Sequence, residues 1–238
     1  GKSREAKDDQ KGLAFGTYSL GALTGPLIIG LIADRFFYAQ KILGFLHIVG
    51  AILLYTLSVQ QNFESFYPYV LIYMIMYMPT LALVNSVSFR QLSNPEKEFA
   101  TLRVWGTIGW IVAGLAIGWF AWEKTNSLAN TFKMAAYASA LLGIFSFMLP
   151  KTPPASAGKK VSLSDILGLE ALRLLKNKNF LVFFISSLLI CIPLAFYYQE
   201  ANLFLNEINL ANAAITMTLG QASEFFFMIV MPFFFSQL

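Results

Sequence analysis

Cysteine and histidine are almost missing from this sequence, and charge is scarce. Cys191 is the only cysteine and lies inside an apolar run, which excludes a disulfide framework and a thiolate metal cluster. His47 is the only histidine, also within an apolar run, so it is either a structural or cavity-lining residue or a proton relay. Charged residues make up only 13% of the chain, too few for the surface of an ordinary soluble domain. There is no phosphate-binding glycine loop, no Ser/His/Asp set and no metal-ligand cluster, so neither an enzyme nor a cofactor is expected. No signal peptide is visible, and the first residue is glycine rather than methionine, so an upstream segment is expected.

What is abundant is apolar surface. Hydrophobic residues make up 57% of the 238 positions, aromatics 16%, and the mean hydropathy is +0.61. Seven spans of ~20 residues would use roughly 140 positions and leave only short loops. The expected fold is all-α, a polytopic helical membrane protein. Its spans read from about Gly12 to Ala33, Ile42 to Val59, Phe66 to Phe89, Arg103 to Trp122, Thr131 to Leu149, Phe180 to Leu205 and Ala213 to Phe235. Residues 1–11 read as a polar lead-in, Pro26 as a kink and Pro79 as a break. The longest hydrophilic stretch, 150–179, starts flexibly at Pro153, Pro154 and Gly158. Ser162 to Asp165 can then cap a short amphipathic helix, Ile166 to Leu175, lying on the membrane surface.

Charge orients the spans. The connections at 34–41, 90–103 and 150–179 are separated by pairs of spans and must share one side. Together they carry eleven of the seventeen basic residues, and the positive-inside rule makes that side cytoplasmic. The net charge of +4 and pI near 9.1 are therefore a signature of orientation, with no nucleic acid implied. The basic N-terminal tail argues weakly the other way, and an upstream helix would reduce its influence.

The stretch Arg103-Val-Trp-Gly-Thr-Ile-Gly-Trp110 is the first sign of a site. Arg103, Thr107 and Trp110 fall at i, i+4 and i+7 on one face, with Gly106 and Gly109 leaving room beside them. A cation at the edge of the hydrocarbon is costly and marks either a polar path or a side chain snorkelling to the cytoplasmic surface. Gln221 and Glu224 share a face of the last span, as substrate contacts or as interhelical glue. Glu200 is either near a site or simply facing water. Trp119 and Trp122 read as an interfacial belt.

Two sets of motifs carry a resemblance. Gly30-Leu-Ile-Ala-Asp34-Arg35, followed by Lys41, resembles the loop that joins helices two and three in the major facilitator superfamily. There the glycine allows close helix approach and the Asp caps a helix or pairs with a cation in one transport state. Tyr77-Met-Pro-Thr80 through Asn85-Ser, Arg103 to Gly109, Leu167-Gly-Leu-Glu-Ala171 with Lys176-Asn-Lys178, and Gln221-Ala-Ser-Glu224 with Met231-Pro-Phe-Phe234 are similar to the bacterial nucleoside–proton symporter family. The resemblance implies helices two to eight of a twelve-helix fold. Residues 1–149 become an N-terminal half lacking its first helix, 150–179 a cytoplasmic linker, and 180–238 the first two helices of the second half.

It further implies a multi-pass protein of the bacterial inner membrane that imports nucleosides with protons, as a monomer. Its implied substrate contacts are Arg103, Thr107, Trp110, Gln221 and Glu224, with a conformational-switch loop at Gly30, Asp34 and Arg35. Two amides of family helix seven fall at Ala195 and Tyr198, a departure from the pattern, although Tyr197, Gln199, Glu200 and Asn202 are near. Chemically, Trp110, Tyr197 or Tyr198 can stack on a base, and Gln221 offers a donor and an acceptor to a base edge or ribose. Glu224 can accept ribose hydroxyls and is the candidate for proton coupling. A carrier of another small polar solute such as a sugar, or a non-transporting receptor, are the alternatives.

Overall fold

The computed structural model describes residues 2–154, 171–210 and 212–235, with the side chains of residues 2–8, 31–32, 34–35, 96–97, 171, 231–232 and 234–235 outside the description. Lipid offers no hydrogen-bond partners, so an apolar segment satisfies its backbone by closing on itself as a helix. The helices are α1 (Lys2–Arg35), α2 (Ala39–Leu57), α3 (Phe63–Gln91), α4 (Pro95–Trp119), α5 (Ala129–Met148), α6 (Lys178–Glu207) and α7 (Ala213–Phe235), with a short 3₁₀ turn at Ala171–Lys176. Among the described residues, seven helices are long and apolar enough to cross a membrane.

Their ends follow local chemistry. Asn62 caps α3, its Oδ1 accepting from Ser65 N–H at 2.9 Å, and Asn177 caps α6 by accepting from Asn179 N–H at 2.9 Å. Pro95 opens α4, where its missing N–H is no loss. Just inside that end, Glu98 Oε2 accepts from Ser93 N–H at 3.2 Å.

Several boundaries differ from the sequence expectation. The polar lead-in is helical and continues into α1, because nothing between Lys2 and Gly12 breaks a helix. Pro79 does not break α3: the helix runs through it, and the ring packs against Gly25 of α1. Arg103 is two turns inside α4, and Asp34 and Arg35 end α1 instead of forming a loop. The expected cap at Ser162 to Asp165 lies outside the described residues, as does the first half of the expected surface helix. Only its last residues are seen, within the 3₁₀ turn.

Without a hydrophobic drive between helices, association in lipid relies on close backbone approach at small residues. Glycines supply it here. A Cβ on Gly21 would stand 2.6 Å from the Met74 carbonyl, and one on Gly25 would stand 2.5 Å from the Ile75 oxygen, so α1 lies directly on α3. Gly44 and Gly143 bring α2 onto α5 in the same way, each facing the other's carbonyl at 3.0–3.1 Å. Around these contacts, Ala33, Ala39, Leu43, Leu46, Leu83 and Val87 form one buried cluster, and Leu54, Leu57, Val70 and Ala136 another.

His47 belongs to the α2–α5 seam. Ser139 Oγ–H donates to the His47 carbonyl at 2.8 Å, which commits its one proton; the His47 Nδ1, 3.1 Å from the same oxygen, then acts as the donor. These two hydrogen bonds tie α2 to α5. At one end of the bundle, Ala39 N–H donates to Thr152 O at 3.0 Å and Thr152 N–H to the buried Gln40 Oε1 at 2.9 Å. That joins the first and third basic connections on one side, as the spacing of spans requires.

The expected close approach at Gly30 is not what the structure has: a Cβ there would meet nothing. The two glycines make a paired prediction. Gly25→Ala is expected to destabilise by about 1–3 kcal/mol through overpacking, whereas Gly30→Ala gains helix propensity at no steric cost. Thermal unfolding of the purified protein in detergent separates them: a fall in Tm for the first, none for the second.

Candidate functional site

The site forms where α4 meets α6 and α7. Gly114 and Gly118 set the approach of α4 to α7: a Cβ on Gly114 would stand 2.9 Å from Thr218 Cγ2, and one on Gly118 would overlap Ile215. The two helices are antiparallel, so one turn further in α4 presents Trp110 and Thr107 at the level where α7 presents Gln221 and Glu224. Gly106 and Gly109, expected to make room for a neighbour, have open space beside them.

Thr107 is buried, while Trp110 is half exposed. The Trp110 ring lies 6.0 Å from Tyr198 of α6, tilted by 52°, and Tyr198 meets Tyr197 edge-on at 5.6 Å. The Tyr197 hydroxyl leans towards α7 at Gly220, 3.4 Å from where a Cβ would be. Two helices, α4 and α6, thus build one aromatic wall beside α7. Beside it, Gln221 is only 7% exposed, and its buried Oε1 has no hydrogen-bond partner. An orphaned buried acceptor is costly, about 1–3 kcal/mol, until a donor reaches it.

Arg103 and Glu224 are both exposed, and no ion pair joins them. Of the switch-loop candidates, Gly30 is in open space, and the side chains of Asp34 and Arg35 lie outside the described residues. Gln199 and Glu200 are exposed on α6. Asn202 is not a substitute amide for the site, since its Nδ2 donates to Glu123 Oε1 at 2.9 Å.

One residue escaped sequence reasoning. Tyr18 of α1 is half exposed and lies within electrostatic reach of both Tyr77 of α3 and Tyr198 of α6. It shares a face with Gly21 and Gly25, at i+3 and i+7, and that spacing was the signal available. On its own, a tyrosine in an apolar helix reads as packing.

Seven apolar spans, with aromatic and polar side chains where α4, α6 and α7 converge, make an all-helical polytopic membrane architecture of the major facilitator type. Comparison with known proteins narrows the class. The family model described as "Nucleoside H+ symporter" matches residues 4–238. The putative nucleoside transporter YegT of Escherichia coli K12 is 46% identical over 227 residues, covering 94% of this chain and 53% of that protein. The nucleoside permease NupG of the same organism is 30% identical over 240 residues, covering 95% and 57%; its xanthosine permease is 31% identical over 238 residues, covering 94% and 56%. A crystal structure of NupG bearing a point substitution superposes with a TM-score of 0.79 at 30% identity, covering 96% of this chain and 60% of that one. The chain belongs to the nucleoside H+ symporter family, whose relatives here are transporters rather than enzymes, and it is a multi-pass inner-membrane protein. It spans a little over half the length of these relatives.

Gln221→Leu removes the orphaned acceptor while keeping the volume. Its expected outcome is an unchanged or raised Tm, read by thermal unfolding in detergent.

Proposed function

We propose that this chain forms part of a carrier that imports nucleosides together with protons, by rocking of two helical halves around a midplane site. The relatives' names, nucleoside transporter, nucleoside permease and xanthosine permease, support that substrate class. The carrying observation is the buried, unpartnered Gln221 Oε1 beside the Trp110–Tyr198 wall. A nucleoside offers both complements: a flat base to stack on the rings and hydroxyl or ring N–H donors for the amide oxygen.

In this reading Arg103, Thr107, Trp110, Tyr198, Gln221 and Glu224 contact substrate. Glu224 accepts ribose hydroxyls when ionised and carries the coupled proton. Residues 1–149 supply helices of one half, 150–179 the linker, and 180–238 helices of the other. Gly30, Asp34 and Arg35 act in the conformational switch, and the carrier works as a monomer without a cofactor or catalytic step.

The test is uptake of radiolabelled uridine or adenosine by the complete transporter in proteoliposomes. Saturable uptake driven by an inward proton gradient is expected; saturable uptake of a sugar, with no effect of nucleosides, overturns the substrate assignment. Nucleoside binding without any flux makes the protein a receptor instead. Glu224→Gln should abolish gradient-driven accumulation, and accumulation at the unsubstituted rate removes Glu224 from coupling. Trp110→Ala should weaken binding by roughly 1–3 kcal/mol, the usual worth of base stacking on an aromatic side chain, measured by competition for labelled nucleoside.

A further inference from the structure

Just beyond α4, a carboxylate ties together three helices that the midplane site also uses. Helix α4 ends in a Schellman motif: Trp122 N–H bonds to Ile117 O at 3.2 Å and Ala121 N–H to Gly118 O at 3.1 Å. Ala121 takes the left-handed position, φ 53°, where glycine is the usual occupant. Holding an alanine there has a cost, and its effect is to reverse the chain and aim the next polar side chain, Glu123, back across the ends of α6 and α7.

Both oxygens of Glu123 are engaged. Oε1 accepts from Asn202 Nδ2 of α6 at 2.9 Å, and Oε2 accepts from the backbone N–H of Ala214, in the first turn of α7, at 3.1 Å. Ala214 N–H is one of the donors that a helix leaves unsatisfied at its start, and a carboxylate there also meets the positive end of the helix dipole. Asn202 is held in the matching orientation. Asn206 Nδ2 donates to Asn202 Oδ1 at 3.1 Å, which leaves the Asn202 NH₂ for Glu123. The neighbouring chain ends are built to suit: α6 closes with its own Schellman motif at Asn209, φ 57°, and α7 begins after Asn212, φ 61°.

Below this junction the α4–α7 seam is closed by glycine contacts at Gly118 and Gly114. Followed along the same face of α4, Thr107 is still buried but Arg103 is exposed. The seam is therefore shut at the Glu123 end and open at the Arg103 end. Charge places the Arg103 end on the cytoplasmic side, so Glu123 stands at the outer end.

We infer that Glu123 is the latch of the outer gate: its carboxylate locks the end of α4 to α6 and α7, and the outward-open state requires both hydrogen bonds to break. The inference rests on the rocking of two halves proposed above, with α4 before the linker and α6 and α7 after it. Separating them at the outer end pulls Glu123 away from Asn202 and Ala214 together. The two bonds are charge-assisted, the stronger kind, and outside the hydrocarbon they can be exchanged for water when the gate opens. Glu123 is a positioning residue; it does not touch the midplane site.

The test uses gate exposure rather than transport, so it stands whether or not nucleosides and protons prove to be the cargo. In the complete transporter with Cys191→Ser, Thr218→Cys places a thiol in the seam where Thr218 packs against Gly114. A membrane-impermeant maleimide added from outside labels it only when the seam opens outward. Glu123→Gln sets an NH₂ against the Asn202 NH₂, and Asn202→Asp sets a carboxylate against a carboxylate. Each alone should speed labelling about tenfold, the worth of one charge-assisted hydrogen bond. The double variant Glu123→Gln/Asn202→Asp rebuilds both bonds: Gln accepts from Ala214 N–H and donates to Asp, which still accepts from Asn206. Its labelling rate should return to within about twofold of the parent. Single variants that label at the parent rate per molecule, even if less protein reaches the membrane, overturn the latch, and so does a double variant as fast as the singles.

Discussion

The bilayer's inability to hydrogen-bond is the constraint from which the rest of this structure follows. It makes each apolar stretch a continuous helix, and it removes the hydrophobic drive that would otherwise press helices together. Contact then depends on how closely two backbones can come, and that depends on where side chains are absent. Gly21 and Gly25 bring α1 onto α3, Gly44 and Gly143 join α2 to α5, and Gly114 and Gly118 seat α4 on α7. Even Pro79 serves this packing, its ring lying against Gly25 where a longer side chain on α1 would collide.

The same economy shapes the site. Because glycines take up the seam between α4 and α7, the larger and polar residues one turn away are left to line a space. Trp110 and Tyr198 face each other across two helices, while Gln221 is buried without a donor. A polar group buried in this way has no structural justification of its own, which is why it is the most informative atom in the chain. By contrast, polar groups buried elsewhere find partners: His47 and Ser139 close on one another, and Gln40 is joined to Thr152.

Much of the architecture was legible beforehand, for physical reasons that differ by element. The span from Ala213 to Phe235 has the predicted bounds because both ends are marked by polar residues and nothing interrupts the apolar run. The start of α4 was misplaced by two turns, since charged residues such as Glu98 are excellent helix formers once they stand outside lipid. Asp34 and Arg35, expected in a loop, are the last two residues of α1. Within the candidate site, Trp110 meets Tyr198 and Glu224 lies within electrostatic reach of Tyr198, while Arg103 and Glu224 are exposed and not ion-paired with each other. Tyr18 was missed because its neighbours, Tyr77 and Tyr198, are far away in sequence.

By itself, the sequence determined that this is a seven-span helical membrane chain, which orientation its loop charges favour, and which family it resembles. Each of these depends on local properties: run length, charge in short loops, and motifs read in order. Only the tertiary structure decided which glycines are contacts and which face open space, that Asn202 is committed to Glu123, and that Gln221 lacks a partner. Those outcomes depend on which face of one helix meets which face of another. Periodicity names the faces of a helix but cannot say what stands opposite them.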